Sequence, residues 1–282
     1  MWAYLFLAFP LAMFLIYAIY PILWTIAISF QAYNPLKSRW VGLVNYQALL
    51  HNDLVRHAIV VTTVYTIWTV PVGLLMALVI SVFIFQAPAR VQLLFKSAYY
   101  LPGVASGVVI ALIWQYMFDP SVGLLDYLLS LFGQSPRDWL GDYNMALPSL
   151  IFMALAGGQG AAIIFTTAAM SSIPAEIYEA ARIDGASRLT EFLRITLPLL
   201  RPTVLYLLVI ATIGSFQVFT PIFVMTKGGP NYATNTLVYQ IYDAAFNNMN
   251  FSLAAAESVL VGIVLIAISA IQYRWLSSDV EY

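Results

Sequence analysis

Long runs without a charged residue dominate the hydrophobic pattern of this chain. Apart from Glu257 in the last of them, six runs contain no Asp, Glu, Lys or Arg: residues 1–36, 57–89, 97–118, 143–175, 202–226 and 244–273. A helix needs about 20 apolar residues to cross a bilayer, and it satisfies its own backbone polar groups in lipid. The runs therefore predict six transmembrane helices, at roughly 3–28, 59–84, 97–117, 147–171, 202–224 and 253–273.

The composition strengthens this prediction. Hydrophobic residues make up 62% of the chain and charged residues 9%, whereas a soluble domain carries about 25% charged residues. The apolar runs are also longer than the strands of an outer-membrane barrel, which have about 10 residues. We therefore predict an all-α, polytopic membrane protein in which residues 1–282 form a single transmembrane domain.

Several kinds of chemistry lack the residues that they need. The net charge of −1 offers no basic surface for nucleic acid. Two histidines, His51 and His57, and no cysteine leave too few ligands for a zinc site. Neither the phosphate-binding G-x-x-x-x-G-K-[ST] motif nor a Gly-x-Ser-x-Gly motif occurs. We predict that the chain is not an enzyme and that it binds no metal or cofactor itself.

One segment in the middle of the chain is as charged as a soluble protein. Residues 174–201, called the charged segment below, hold 8 of the 25 charged residues. Ser171 or Ser172 can cap a helix whose first turn contains Pro174. Gly185 can end that helix in a left-handed conformation, and Ser187 can cap a second one. The pattern predicts two short helices that bend at Gly185 outside the membrane.

The first of these helices presents a stripe with a small centre. Ile177, Ala180, Ala181 and Asp184 recur at positions i, i+3, i+4 and i+7, so another surface could approach the backbone closely. Two interpretations remain open at this point. The segment is either a solvated loop whose charges keep it out of lipid, or a docking element for a soluble partner.

The same segment resembles the cytoplasmic coupling loop of bacterial ABC-importer permeases. That loop reads Glu-Ala-Ala, three residues, Gly, nine residues, Ile-x-Leu-Pro, and an Asp usually precedes the Gly. The residues that match are Glu179, Ala180, Ala181, Asp184, Gly185, Ile195, Leu197 and Pro198.

A second stretch resembles one subunit type of that family. Residues 226–230, Thr-Lys-Gly-Gly-Pro, with Thr236 and Leu237, are similar to a loop in the first permease subunit of carbohydrate importers, such as the maltose and glycerol-3-phosphate systems. The resemblance implies the type I ABC-importer permease fold. It also implies import of a sugar or polyol across the cytoplasmic membrane of a bacterium or archaeon. The same architecture serving another solute is an alternative, and an ATP-independent secondary transporter or channel is a third.

The resemblance further implies a set of partners. The coupling loop, residues 174–198, would dock on an ATP-binding subunit that supplies the ATP and Mg²⁺. Two such subunits, a second permease subunit and an extracytoplasmic solute-binding protein would complete the importer, with lipid around the spans. With the charged segment in the cytoplasm, both termini lie there too. The inner loops and tail then hold seven basic residues against five in the outer loops, in the direction of the positive-inside rule.

Polar groups within the predicted spans are candidates for the solute path. Amide and hydroxyl groups can bond to sugar hydroxyls, and phenylalanine rings can stack on a sugar ring. The alternative is packing, because small and polar residues often join membrane helices. Glu257 is an acid in a predicted span, which is a functional group by default, although it could instead lie near the outer end of the helix. The candidates are Gly158, Gln159, Ser215, Phe216, Gln217, Phe219 and Glu257.

Overall fold

The computed structural model describes residues 2–34 and 37–276, with side chains described for 6–34 and 37–275. Within these ranges the chain is mostly helical, and β1 (Gln31–Ala32) and β2 (Arg39–Trp40) form a short antiparallel pair. Four π-helical turns join or extend the helices: Leu15–Ile19, Phe192–Thr196, Ile222–Thr226 and Asp243–Asn247. The α-helices are α1 (Trp2–Phe14), α2 (Tyr20–Ser29), α3 (Val44–Leu50), α4 (Asp53–Phe85), α5 (Ala89–Val104), α6 (Gly107–Met117), α7 (Leu124–Leu131), α8 (Ala146–Gly157), α9 (Gly160–Ser171), α10 (Ala175–Ile183), α11 (Arg188–Glu191), α12 (Leu197–Leu199), α13 (Arg201–Phe216), α14 (Leu237–Tyr242) and α15 (Phe251–Leu276).

The predicted spans are present, but they are not all continuous helices. By length and composition, the described part of the chain has four candidate spans and up to six if each bent pair of helices crosses once. The two bent pairs are α5 with α6, at 100°, and residues 188–199 with α13, at 69°. The four candidate spans are Phe6–Ser29, Asp53–Phe85, Ala146–Ser171 and Phe251–Trp275.

The third and fifth spans correct the prediction of one helix each. At 97–117 the chain bends because Ala105 and Ser106 adopt extended backbone conformations between α5 and α6. At 202–224 the α-helix ends at Phe216, residues 217–219 are not helical, and helical structure resumes at Thr220 and continues into the π-helical turn Ile222–Thr226. Pro221 lies in the first turn of the resumed helix, where its missing amide hydrogen is tolerated.

The long helix α4 organises the bundle. It packs against α9 and α13, and α15 packs against α2 and α13. Close packing uses small side chains, such as the fully buried Ala77 of α4 beside Ile163 of α9. The first span is apolar and none of its most apolar window is buried, as expected for a surface in contact with lipid.

A loop at the end of the bundle opposite the charged segment is buried although it is polar. Thr234, Asn235 and Thr236 are at most 1% exposed, and each makes a hydrogen bond. The amide of Leu237 donates to the hydroxyl of Thr62 in α4 at 2.9 Å. These bonds satisfy the buried polar groups and attach the loop to the second span.

Candidate functional site

The charged segment folds as two short helices that meet at Gly185. Gly185 has φ +78°, and its N–H donates to the carbonyl of Arg182 at 3.1 Å. The N–H of Ala186 donates to the carbonyl of Ala181 at 2.9 Å, so α10 ends in a Schellman motif. The Ser187 hydroxyl accepts from the Thr190 amide and caps α11. The predicted bend and the second cap are confirmed.

The predicted first cap is wrong. The Ser171 and Ser172 hydroxyls donate to the carbonyls of Thr167 and Ala169, each at 2.8 Å, and so belong to the end of α9. The N-cap of α10 is Pro174, which offers no side-chain hydrogen bond. The two serines precede α10 by too many residues to cap it, and their hydroxyls instead bond to carbonyl groups in the last turns of α9.

The helix α10 has one anchored face and one exposed face. On the anchored face, the Tyr178 hydroxyl lies 3.1 Å from the Thr196 hydroxyl. Nε of Arg182 donates to Oε1 of Glu191 at 3.1 Å, across the bend. These contacts hold α10 against the helix that leads into the fifth span. The opposite face is therefore presented outwards on a fixed support.

The matched residues of the predicted coupling loop fall into two groups, one on and just after α10 and the other around α12. In the group on and just after α10, every matched residue is exposed except Ala181, which is half-buried. Around α12, Ile195 and Leu197 are half-buried and Pro198 is exposed. The Glu-Ala-Ala part thus forms an accessible surface, whereas the Ile-x-Leu-Pro part joins it to the fifth span. The exposed members of the first group are Glu179, Ala180, Asp184 and Gly185.

A cavity of 440 Å³ lies between α4, the junction of α8 and α9, and α13. The described residues that line it include no charged side chain. Of the solute-path candidates it brings together Gly158, Gln159 and Ser215. Its volume is within the range of about 300–1,000 Å³ that is typical of small-molecule sites.

Gln159 occupies the break between α8 and α9. It is half-buried, and its side chain lies so close to Gly73 of α4 that a Cβ on Gly73 would be 2.7 Å from the Gln159 Nε2. Among the described residues its amide group has no side-chain hydrogen bond. Gly73 therefore makes room for a polar side chain that lines the cavity.

Ser215 is tied into a hydroxyl cluster at the wall of the cavity. Its Oγ lies 2.9 Å from the Thr69 hydroxyl and donates to the Thr66 hydroxyl at 3.0 Å. Sequence reasoning missed the contribution of α4, which also places Tyr65 and Thr69 in the lining. The signal was present, because threonines at 62, 66 and 69 form a polar stripe at helical spacing in an apolar span.

Three neighbouring candidates lie outside the cavity. Phe216 is buried against Ala58, Leu237 and Leu265. Gln217 is exposed at the end of α13.

Phe219 belongs to an aromatic cluster, with ring centroids 5.3 Å from Phe223 and 5.2 Å from Tyr242. Tyr239 belongs to the same cluster, with its ring centroid 6.4 Å from that of Tyr242. Burial, and to a lesser extent the charge of Asp243, raises the pKa of Tyr239.

Glu257 is also outside the cavity. It is 1% exposed, and neither carboxylate oxygen has a hydrogen-bond partner among the described residues. One and two turns further along the same face of α15, Val261 and Leu265 pack in the cluster that contains Phe216. Glu257 thus lies in the second turn of α15, on the face of the helix that packs inside the bundle.

Comparison with known proteins gives consistent matches over nearly the whole chain. Residues 41–282 match the family model described as the inner membrane component of binding-protein-dependent transport systems. The arabinooligosaccharides transport system permease protein AraP of Bacillus subtilis is 32% identical, over 96% of this chain and 87% of that protein. The sn-glycerol-3-phosphate transport system permease protein UgpA of Agrobacterium fabrum is 33% identical, over 88% of this chain and 84% of that protein.

Solved structures agree on the fold. A chain of a bacterial alginate ABC transporter, crystallised with an alginate pentasaccharide-bound periplasmic protein, superimposes with a TM-score of 0.85. The match has 22% sequence identity and covers 97% of this chain and 93% of the other. The bent third and fifth spans are thus part of an arrangement with a counterpart among solved ABC transporter structures.

Proposed function

Because the chain belongs to the family of inner membrane components of binding-protein-dependent transport systems, we propose that it is a permease subunit for an uncharged sugar or polyol. The solute passes through the 440 Å³ cavity beside Gln159. The observation that carries the proposal is the pairing of a free amide with hydroxyl groups in a cavity whose described lining has no charge. Such groups bond to the hydroxyls of a sugar without favouring an ion.

The chemistry of the cavity favours one solute class over another. The relatives include permeases whose names specify arabinooligosaccharides and others whose names specify glycerol-3-phosphate. A phosphate group would call for an arginine, a lysine or a cluster of backbone amides. This chain instead contributes Tyr65, Thr69 and Gln159 to the lining, together with apolar and small residues. Its half of the path therefore suits a neutral, hydroxyl-rich solute.

A proton- or ion-coupled transporter is the competing mechanism. It needs carboxylates or other ionisable groups that reach the solute path. The acid inside the sixth span, Glu257, does not line the cavity and has no described partner with which to form a relay. We infer that the driving force comes from ATP, hydrolysed with Mg²⁺ in a partner subunit.

The exposed face of α10 is the proposed contact with that partner. Its small residue Ala180 lets another surface approach, and Glu179 offers a charge for an arginine or lysine of the ATP-binding subunit. Two such subunits, a second permease subunit and an extracytoplasmic solute-binding protein complete the proposed importer. The charged segment then lies in the cytoplasm, and both termini of this chain lie on the same side of the cytoplasmic membrane.

The cavity is tested by two matched glutamine variants. Gln159→Leu removes the amide that faces the cavity, and Gln217→Leu removes an exposed amide one helix away. Since a hydrogen bond contributes about 1 kcal/mol, uptake of a radiolabelled sugar at low concentration should fall about fivefold in the first variant only. Equal uptake by both variants, at equal amounts of membrane-inserted protein, would contradict this solute path.

The partners are tested by purifying the chain from its native membrane in mild detergent and identifying the accompanying proteins by mass spectrometry. Recovery of a nucleotide-binding subunit and a second permease supports the ATP-driven importer. A chain that is recovered only with copies of itself would contradict the ATP-driven importer.

A further inference from the structure

A second and larger cavity, of 720 Å³, lies behind α10, and the proposed solute path does not use it. Its lining has an apolar side and a polar side. Val82, Phe85 and Met170 form an apolar side, and Arg182, Arg188 and Glu191 are on the polar side. An amphiphilic ligand matches this division better than a purely polar or purely apolar one.

The position of the cavity relative to the membrane follows from the helices that form it. Val82 and Phe85 lie in the last turn of α4, and Met170 lies in the last turn of α9. Both helices belong to candidate spans, so their ends mark the surface of the bilayer. The apolar side of the cavity is therefore near the acyl chains and the polar side near the headgroups.

The polar wall has one more positive than negative side chain. Arg182 and Glu191 neutralise each other at 3.1 Å. Arg188 donates from Nη1 to Oε1 of Gln86 at 3.1 Å, and no carboxylate of the described residues pairs with it. Its remaining N–H groups form a fork that suits a phosphate group. The net charge of these three side chains is positive, and it attracts an anion in spite of the Glu191 carboxylate.

The cavity and the proposed docking face lie on different sides of α10. Tyr178 and Arg182, four residues apart on one face, line the cavity, whereas Glu179, Ala180 and Asp184 do not. A protein that docks on the exposed face would leave the cavity available.

We propose that this cavity binds the phosphodiester headgroup of an anionic phospholipid. The phosphate lies on Arg188, and the first part of the acyl chains lies against Val82, Phe85 and Met170. A lipid fits better than a free phosphate because the cavity has an apolar wall at the height of the membrane surface. If α10 couples the chain to an ATPase, which rests on the proposed function, the lipid also braces the coupling segment against α4.

Binding is measured by native mass spectrometry on the delipidated, full-length protein after addition of phosphatidylglycerol. Arg188→Gln keeps the length and polarity of the side chain but removes its charge. Arg90→Gln is the matched control, because Arg90 is exposed near the same end of the bundle and does not line the cavity. We expect the lipid-bound fraction to fall about tenfold in Arg188→Gln, as for loss of a charge-assisted contact, and to stay unchanged in the control.

A second variant tests the apolar wall. Val82→Phe fills the cavity without changing its charge and should also reduce phosphatidylglycerol binding. Equal binding by wild type, Arg188→Gln and Val82→Phe would overturn the proposal. Equal binding of phosphatidylcholine and phosphatidylglycerol would overturn the role of the cation.

The source of the phosphate is tested by competition. Displacement of the lipid by an equal concentration of glycerol 1-phosphate, which has no acyl chain, would show a site for a soluble phosphate and overturn the lipid. Since none of these measurements involves transport, their failure leaves the proposed permease function untouched. Failure of the uptake experiment likewise leaves the lipid site untouched.

Discussion

The left-handed residue at the end of α10 allows a sharp test of the coupling segment. Gly185 has φ +78°, and a Cβ at this position would meet nothing within 4 Å in this chain. Alanine there is therefore strained by its backbone alone, at about 1–2 kcal/mol. That free energy corresponds to a roughly 5- to 30-fold smaller ratio of ordered to unwound α10 ends. Asn tolerates the left-handed region, so Gly185→Asn is the matched control.

The assay uses the assembled transporter in proteoliposomes, with solute uptake and ATP hydrolysis measured together. If an ordered α10 transmits the ATPase cycle, Gly185→Ala should lower uptake by up to about 5- to 30-fold, whereas Gly185→Asn should stay close to wild type. Hydrogen exchange gives a readout on the segment itself. The amide of Ala186, which bonds to the Ala181 carbonyl, should lose protection in the alanine variant and keep it in the asparagine variant.

Two outcomes would refute this reasoning. Full uptake by Gly185→Ala with lost protection at Ala186 would mean that transport does not need the ordered end of α10. Equal loss of uptake in the Ala and Asn variants, with protection retained, would place the effect on the docking surface rather than on the backbone. The first outcome removes the coupling role of the bend, and the second replaces strain by a contact with the partner.

Two further predictions address the interior of the bundle. Gly73→Ala should lower sugar uptake about as much as Gln159→Leu, because its Cβ would stand 2.7 Å from the Gln159 Nε2 and push that flexible amide aside. Unchanged uptake would show that Gln159 binds no solute from this position. Glu257→Gln should keep uptake and shift the unfolding midpoint by less than about 4 °C, since the carboxylate has no partner to lose. A stable Glu257→Gln variant without uptake would show that the charge is needed.

The positions of the long apolar helical segments were predictable from the sequence, but their shape was not. Runs without charge mark what can lie in lipid, and the structure places helices in all six. The bend of 100° in the third span lies at Ala105 and Ser106, which have no strong preference for ending a helix. Pro102 lies inside the helical bounds of α5 and Pro221 lies just after a break, while proline also occurs inside the helical bounds of α1 and α4. The positions of the prolines therefore do not by themselves mark the breaks.

The charged segment was more predictable than the cavity for a physical reason. Its bend depends on the conformational freedom of Gly185 and on the cap at Ser187, which are local properties. Which of Ser215 and Phe216 points into the cavity is not a local property, because it depends on how α13 packs in the bundle. Neighbours on a helix point about 100° apart, so only one of them can face the cavity. In a span that is apolar on every side, the sequence gives no polar face from which to choose.

The junction of α8 and α9 shows that the two interpretations of its small residues are compatible. A Cβ on Gly160 would stand 2.2 Å from the carbonyl oxygen of Tyr99, so this glycine lets α9 pack directly on the backbone of α5. A Cβ on Gly158 would stand 2.6 Å from the carbonyl oxygen of Ala154, so the chain can turn there only without a side chain. Irregular backbone at membrane depth is tolerated where it lines a cavity or is buried in protein. Packing at Gly160 and opening at Gly158 therefore serve one arrangement, in which the break presents Gln159 to the cavity.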